Sequence, residues 1–323
     1  MRFPKVSIIV PLYKKTPYFY ETIGRCLELD CPDFEVLIGV DGKTGVGYRD
    51  RRIKVLRTNS ARTGPAEKRD IGIRKATGAY VAFLDDDSYP ASDWLKKAVV
   101  IINKKKLDVV VGPGLTPPHD SFSQKITGAI LSSKLGSGPY SYRFTKERAR
   151  YVDDYPAYNM VVSKEALKRV GGFATKFYGG EDTALCLKLI NAGYKIYYHP
   201  DIVVYHHRRR FPFEYLRQVG NVGLHRGYFV RAYPQTSLRP SYFAPAVATA
   251  AAAALLAGSL VSLEIFLLSS FLLALFYVIV FFVGTTGNSF WISLFFPLAL
   301  LINYLSYGVN FIKGLFFTNK LER

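Results

Sequence analysis

Hydrophobic and polar positions along the chain follow two regimes. Up to about residue 242, short β-branched runs alternate with helical stretches, the pattern of strands and crossover helices in an α/β sheet. Val6 to Val10, Glu35 to Val40, Ile53 to Leu56, Tyr80 to Leu84 and Val109 to Val111 predict strands, and Tyr18 to Glu28, Pro65 to Ala76 and Trp94 to Lys104 predict helices between them. Asp182 to Ala192 places Leu185, Leu189 and Ile190 on one helical face and stops at Gly193, so it predicts a helix feeding the strand Lys195 to Tyr198. A last strand is expected over Ile202 to Tyr205. Strands with such crossovers build a doubly wound, parallel sheet, which binds ligands at the carboxyl ends of its strands. Those ends carry Pro11-Leu12-Tyr13, Asp41-Gly42 and Asp85-Asp86-Asp87. Thr116 to Asp154, rich in proline and glycine, reads as a long loop or a partly helical insertion.

Beyond residue 242 the pattern changes. From Phe243 to Phe317 the only charged residues are Glu264 and Lys313. The apolar block Phe243 to Val283 has 41 residues, about twice what one helix needs to cross a ~30 Å hydrocarbon core. It predicts two spans, 243–261 and 265–283, with a turn near Gly258 to Glu264. The polar turn Gly284 to Ser289 precedes a third candidate, 290–312. The expected organisation is therefore a domain over 1–210, an amphipathic juxtamembrane segment over 211–242, and a membrane region over 243–323.

Charge sharpens this division. Of the net charge of +18, +17 precedes residue 243. Such a surface suits nucleic acid, phosphorylated substrates or an acidic membrane face, and the apolar tail favours the last two. Arg208, Arg209, Arg210, Arg217, Arg226 and Arg231 lie just ahead of the first span, where each cation contributes about 1 kcal/mol near an anionic leaflet. No signal peptide is visible, since the first apolar run ends at Pro11, so the N-terminal domain is expected at the cytoplasmic face. Bases at Lys313, Lys320 and Arg323 favour a cytoplasmic C-terminus, whereas three spans would place it outside. The orientation of the third segment stays open. Cys26, Cys31 and Cys186 form no C-x-x-C pair and read as reduced packing residues.

The strongest chemical signal is Asp85-Asp86-Asp87 at the end of a strand. Adjacent carboxylates repel, so they suit a place where a hard cation such as Mg²⁺ or Mn²⁺ neutralises them and bridges a diphosphate. The plainer reading is one helix cap before Trp94 and two solvated acids.

In order along the chain stand Val6-Ser7-Ile8-Ile9-Val10-Pro11-Leu12-Tyr13, Asp41-Gly42, Gly64 to Gly72, Gly78 to Asp87, Gly171-Gly172-Phe173 and Gly180-Glu181-Asp182. This series resembles family 2 glycosyltransferases of the GT-A fold over about residues 5–210. The apolar tail resembles that of membrane-bound members that build surface glycans or glycolipids, and Tyr307-Gly308 to Gly314 looks like their terminal pattern. The resemblance implies a Rossmann-like, mostly parallel sheet and an inverting transfer of one sugar from a nucleotide-sugar to a lipid-linked or other membrane acceptor. Pro11, Tyr13 and Asp41 would hold the nucleobase, while Lys68 and Arg69 face base or phosphate. Asp85 and Asp86 would contact the nucleotide-sugar, and Asp87 and Asp85 the metal. Asp182 is the candidate general base, with Glu181 orienting it or the acceptor. His206, or else His207, would complete the shell of Mg²⁺ or Mn²⁺.

Two departures qualify the resemblance. Lys188 stands where the family often has arginine. Processive synthases carry Gln-x-x-Arg-Trp, whereas this chain has Gln218-Val219-Gly220-Asn221, which points to single-sugar transfer. Polyprenyl phosphate as acceptor is a close variant, and its phosphate would need no base. A nucleotidyltransferase is the rival class, since such enzymes also pair α/β sheets with metal-binding carboxylates. A basic nucleic-acid binder or scaffold would leave both acidic motifs unexplained, so nucleic acid is not an expected partner.

Overall fold

A computed structural model describes residues 3–42, 44–58, 63–175, 177, 179–284 and 287–321. Thr285 and Thr286 of the expected polar turn, and Arg323 among the C-terminal bases, lie outside the described residues. The first elements are β1 (Val6–Pro11), α1 (Pro17–Leu27), β2 (Phe34–Val40), β3 (Ile53–Arg57), α2 (Pro65–Lys75), β4 (Tyr80–Phe83), β5 (Ser88–Pro90), α3 (Trp94–Lys105), β6 (Val109–Val111) and β7 (Gly114–Leu115). They are followed by α4 (Phe122–Ser132), α5 (Lys134–Ser137), β8 (Arg150–Val152), β9 (Met160–Ser163), α6 (Lys164–Val170), α7 (Glu181–Asn191), β10 (Ile196–Tyr198) and β11 (Val204–His206). The C-terminal elements are α8 (Phe213–Ala232), α9 (Pro234–Ser237), α10 (Pro240–Ser259), α11 (Leu263–Gly284) and α12 (Phe290–Phe317). The chain divides into two compact units, one of residues up to Pro117 with Tyr142–His207, the other of Pro118–Ser141 with Arg208–Leu321.

The first unit is built on an eight-stranded sheet of order β3-β2-β1-β4-β9-β6-β10-β8. Strands β3, β2, β1 and β4 run parallel, as do β6 and β10. Strand β9 is inserted antiparallel to both β4 and β6, and β8 closes the edge antiparallel to β10. The sheet is thus mostly parallel, with the four-residue β9 and the three-residue β8 as its antiparallel members. Successive side chains of β1 point to opposite faces. Val6, Ile8 and Val10 join Phe19, Ile23 and Cys26 of α1 and Trp94, Leu95, Ala98, Val99 and Ile102 of α3 in one core.

Helix α2 packs against β1 and β2. Gly39 makes its approach possible, because a Cβ there would lie 2.9 Å from Lys68 Cβ. This close packing sets the N-terminal half of α2, with Lys68 and Arg69, beside the carboxyl ends of β1 and β2.

A buried carboxylate binds the other ends of the strands. Glu35 of β2 is 2% exposed. Its Oε1 accepts from Ser7 Oγ of β1 at 2.8 Å and from the N–H and hydroxyl of Thr77, each at 2.7 Å, while Oε2 accepts from Lys54 Nζ of β3 at 2.8 Å. Burial alone would raise its pKa, but the bonds from Lys54, Thr77 and Ser7 win and hold it down to about 2.

The second unit contains three helices long and apolar enough to cross a membrane, Pro240–Ser259, Leu263–Gly284 and Phe290–Phe317. Helix α11 leaves Leu267, Phe271, Leu273 and Phe282 exposed, a continuous apolar surface that suits lipid better than water. Helices α8 and α12 meet backbone to backbone. A Cβ on Gly223 would come within 2.4 Å of Tyr307 O, one on Gly227 within 2.1 Å of Phe311 O, and one on Gly314 within 2.1 Å of Leu224 O. Spaced four apart, Gly223 and Gly227 share a helix face, and small residues there let two helices close on each other. Tyr215 donates to Asn303 Oδ1 at 2.7 Å and Ser306 to Leu216 O at 2.8 Å along the same seam.

This packing has two measurable consequences. A carboxylate held below its unfolded value stabilises the fold above about pH 4.5 and loses that contribution as pH falls through its folded pKa of about 2. Relative to Glu35→Gln, the wild type should therefore lose about 2 kcal/mol between pH 5 and 2 in unfolding experiments, after discounting for the half-exposed Lys54. Parallel pH profiles would contradict this role for Glu35. Gly227→Leu should lower the unfolding midpoint in detergent by the equivalent of about 2 kcal/mol through overpacking, whereas Gly24→Ala, which faces open space, should leave it unchanged or raised.

Candidate active site

The site gathers at the carboxyl ends of β1, β2 and β4 and at the N-terminus of α7. Strand β4 stops at Phe83, and Leu84 donates its N–H to Ile9 O at 3.1 Å. The chain then turns sharply. The Asp85 N–H bonds Ser88 Oγ at 3.0 Å and the Ser88 N–H bonds Asp85 O at 3.2 Å. Ser88 opens β5, which pairs antiparallel with β11 in a three-stranded sheet, and the register sets His206 opposite Ser88. That pairing brings His206 Nε2 to 3.1 Å from Asp87 Oδ1. One ligand atom from each of Asp85, Asp87 and His206 lies within 4.8 Å of the others. Among the described residues, the buried Nδ1 of His206 has no hydrogen-bond partner. Two carboxylates and an imidazole within this span form a donor set that fits Mg²⁺ or Mn²⁺, and the nitrogen suits Mn²⁺ in particular.

His207 turns the other way. Its ring stacks on Tyr18 at 3.9 Å and its Nε2 lies 3.0 Å from Glu21 Oε2. The strand period of two separates the neighbouring histidines.

Asp86 reaches back to β1, accepting the Tyr13 N–H at 2.8 Å. Burial, with Asp87 adding, pushes its pKa up to about 6 against that bond. The Tyr13 ring is exposed, while Pro11 and Leu12 are buried. Lys68, 2% exposed, donates to Leu12 O and to Asp41 Oδ2, each at 2.7 Å. Asp41 Oδ1 accepts from the Thr63 N–H and hydroxyl at 3.0 and 2.5 Å.

Arg69 links the strand ends to α7. Its Nη2 is 2.6 Å from Asp85 Oδ1, and its Nη1 is 3.3 Å from Asp182 Oδ1 and 3.4 Å from Glu181 Oε1. Phe173 backs the guanidinium at 5.3 Å and packs edge-on to Phe83. Gly180, at φ 83°, caps α7 in the left-handed region that favours glycine. The helix thus opens directly on Glu181 and Asp182, where acidic residues favour the helix dipole. Glu181 Oε2 accepts the Gly179 N–H at 2.9 Å. Burial raises the Asp182 carboxyl to about 7, opposed by Arg69 and the Ala157 N–H and reinforced by the Glu181 and Asp85 charges.

The expected residues therefore fall into linked groups: Pro11, Tyr13, Asp41 and Lys68 at the ends of β1 and β2, Asp85, Asp86, Asp87 and His206 beyond β4, and Glu181 with Asp182 across Arg69. Their supports carried no sequence signal. Lys188, the departure from the family pattern, donates to Phe173 O at 2.6 Å, and Asp70 accepts the N–H groups of Phe173 and Ala174. Together they clamp the turn that carries Phe173. Asn159 donates to the carbonyls of Gly112, Pro113 and Ile202 and accepts from Trp94 Nε1, and the Tyr158 ring lies 4.7 Å from that of His206.

Comparison with known proteins agrees with this architecture. The model described as glycosyl transferase family 2 matches residues 7–171, and one described as the N-terminal domain of galactosyltransferase matches residues 143–210. A Methanococcus voltae protein, dolichyl N-acetyl-alpha-D-glucosaminyl phosphate 3-beta-D-2,3-diacetamido-2,3-dideoxy-beta-D-glucuronosyltransferase, is 26% identical over 245 residues, 70% of this chain and 74% of that protein. A Haemophilus influenzae protein described as an uncharacterized glycosyltransferase is 35% identical over 105 residues, covering 30% of this chain and 42% of its own length. This chain thus spans less than half of that relative. The structure of the mannosyltransferase PcManGT from Pyrobaculum calidifontis, in complex with GDP-Man and Mn²⁺, shares the fold at a TM-score of 0.63 and 21% identity, covering 98% of this chain and 88% of that one. The family match runs from β1 to α6 and takes in Asp41, Arg69 and Asp85 to Asp87, so that this chain, with its GT-A sheet, belongs to glycosyltransferase family 2.

Proposed function

We propose that the protein is an inverting, metal-dependent glycosyltransferase that moves a single sugar from a nucleotide-sugar to a lipid-linked acceptor at the cytoplasmic membrane face. In this reading residues 1–210 are catalytic, 211–242 lie at the membrane surface, and 243–323 anchor the chain. The observation that carries it is the cluster of Asp85, Asp87 and His206, which Arg69 joins through Asp85 to Asp182. The dolichyl-linked substrate in the name of the Methanococcus relative, and the GDP-Man and Mn²⁺ bound in the Pyrobaculum structure, support a lipid-linked acceptor and a nucleotide-sugar donor.

The residues divide the work by chemistry. Asp41 accepts an N–H of the nucleobase beside Pro11 and Tyr13, and Lys68 keeps Asp41 ionised and oriented. Asp85, Asp87 and His206 would hold the cation, and Asp86 fixes the Tyr13 backbone. When bound there, a divalent cation would supply the positive charge that offsets the departing nucleoside diphosphate. Asp182 takes the proton of the acceptor hydroxyl as that oxygen bonds to the anomeric carbon. The bond from that carbon to the diphosphate breaks on the opposite face, so the configuration inverts. Glu181, tied to the Gly179 N–H, orients the acceptor side. Gly180 opens α7 directly on both carboxylates, and Asp182 is the more exposed of the two, on the side proposed for the acceptor.

Two experiments test this reading. Asp182→Asn should lower transfer to a hydroxyl acceptor by about 10³-fold while leaving donor binding nearly intact, and unaltered turnover would remove Asp182 from the base role. Equilibrium binding of UDP, GDP, CDP and dTDP to the detergent-solubilised chain should single out one nucleotide with Mn²⁺ and lose it with chelator. Asp87→Ala and His206→Ala should each weaken that binding by about tenfold or more. Pyrophosphate as the released product, in place of nucleoside diphosphate, would assign the enzyme to nucleotidyl transfer.

A further inference from the structure

We propose that Arg69 is a positioning residue that spans the donor-side and acceptor-side carboxylates, and that it does not bind the donor phosphates. The inference rests on the reading of Asp182 as general base. Its ground is the way the guanidinium is committed. Arg69 is 3% exposed. One end of its planar fork meets Asp85, and the other meets both Asp182 and Glu181, all within 3.4 Å. Phe173 covers a face of the group, and Lys188 and Asp70 fix Phe173 from behind. A phosphate reaching Arg69 would have to displace carboxylates and then sit among them, and like charges at that distance repel.

What Arg69 supplies is a fixed separation between two charged groups with different tasks. Asp85 lies at the end of β4 and Asp182 in the first turn of α7, 97 positions later in the chain. Without a cation between them, three partly buried carboxylates would repel one another. The base would swing toward solvent or take up a proton. With Nη1 at 3.3 Å from Oδ1, the Asp182 carboxylate is held against Arg69. A lysine cannot replace this arrangement, because its ammonium is a single point charge whereas the guanidinium presents donors at both ends of a rigid plane.

The test uses Arg69→Lys and Arg69→Gly in the full chain in detergent. Turnover is followed with GDP-mannose and UDP-N-acetylglucosamine as donors and octyl glycosides as hydroxyl acceptors, and binding with GDP and UDP in Mn²⁺. Arg69→Lys should lower kcat by about 100-fold, the scale of loss when a reacting group is misplaced by about 1 Å, with nucleotide Kd changed by less than about threefold. Loss of nucleotide binding by about tenfold or more with kcat retained would overturn the proposal and assign Arg69 to the donor. Millimolar guanidinium should restore part of the turnover of Arg69→Gly, which a folding defect would not allow, and absence of rescue in a variant that still binds nucleotide would count against the proposal.

A double-mutant cycle separates this inference from the reading beneath it. If Asp182→Asn alone leaves turnover intact, the base assignment fails. If Asp182→Asn is impaired and Arg69→Lys costs as much in that background as in the wild type, the base stands and the coupling through Arg69 falls. The expected result is strong non-additivity, with Arg69→Lys costing little once Asp182 is neutral.

Discussion

Concentrating negative charge in a space that water reaches only partly is the constraint on which the catalytic unit depends. Asp41, Asp85, Asp86, Asp87, Glu181 and Asp182 all sit at strand ends or in one helical turn, and the two cations buried among them are Lys68 and Arg69. Repulsion and lost hydration act against such a group. Their effect is visible in the raised pKa values of Asp86 and Asp182. Much of the local architecture follows from supplying positive charge at the right depth. Helix α2 must begin close beneath the strands, which Gly39 permits, and its N-terminal half must carry two consecutive cations aimed at different acids.

The same constraint explains why the strand ends are so heavily tied. Each acid that faces the site is oriented by a neighbour, Asp86 by the Tyr13 N–H, Asp87 by His206, Glu181 by the Gly179 N–H, Asp41 by Lys68 and Thr63. Glu35 performs the complementary task at the opposite ends of the strands, joining β1, β2, β3 and the turn into β4 through one carboxylate. Polar groups buried in this way specify register, because sliding any strand by one residue would leave the carboxylate without its donors. The sheet is thus held by apolar packing across its faces and by charged hydrogen bonds at its ends.

In the second unit the organising force is different. Apolar surface on α11 is left exposed, and α8 is joined to α12 through glycines that let their backbones touch. Dispersion over a close backbone contact, with a few interhelical hydrogen bonds, is how helices associate where the surroundings are as apolar as their side chains. Buried Tyr215 donates to Asn303 Oδ1 inside that seam, which offsets the desolvation of those two atoms.

Much of this was legible along the chain, and the physical reason is locality. Alternating β-branched runs and amphipathic stretches located β1, β2, β3, β4, β6, α1, α2, α3 and α7 to within a residue or two, because strand and helix periods are properties of neighbouring residues. The apolar tail was readable as three long helices for the same reason, as were the acids at the end of β4 and the start of α7, whose order carried the family resemblance. Strand β9 was not, and its antiparallel insertion is decided by its pairing with β4 and β6. Nor could the sequence tell which of His206 and His207 lies beside Asp87, for that is set by the pairing of β11 with β5 across more than a hundred residues. The partners of Arg69 belong to the same category. A cation next to a lysine on a polar helix face reads as solvated or phosphate-binding, and only the tertiary structure, by burying it between β4 and α7, decides that its charge is spent on the protein's own carboxylates.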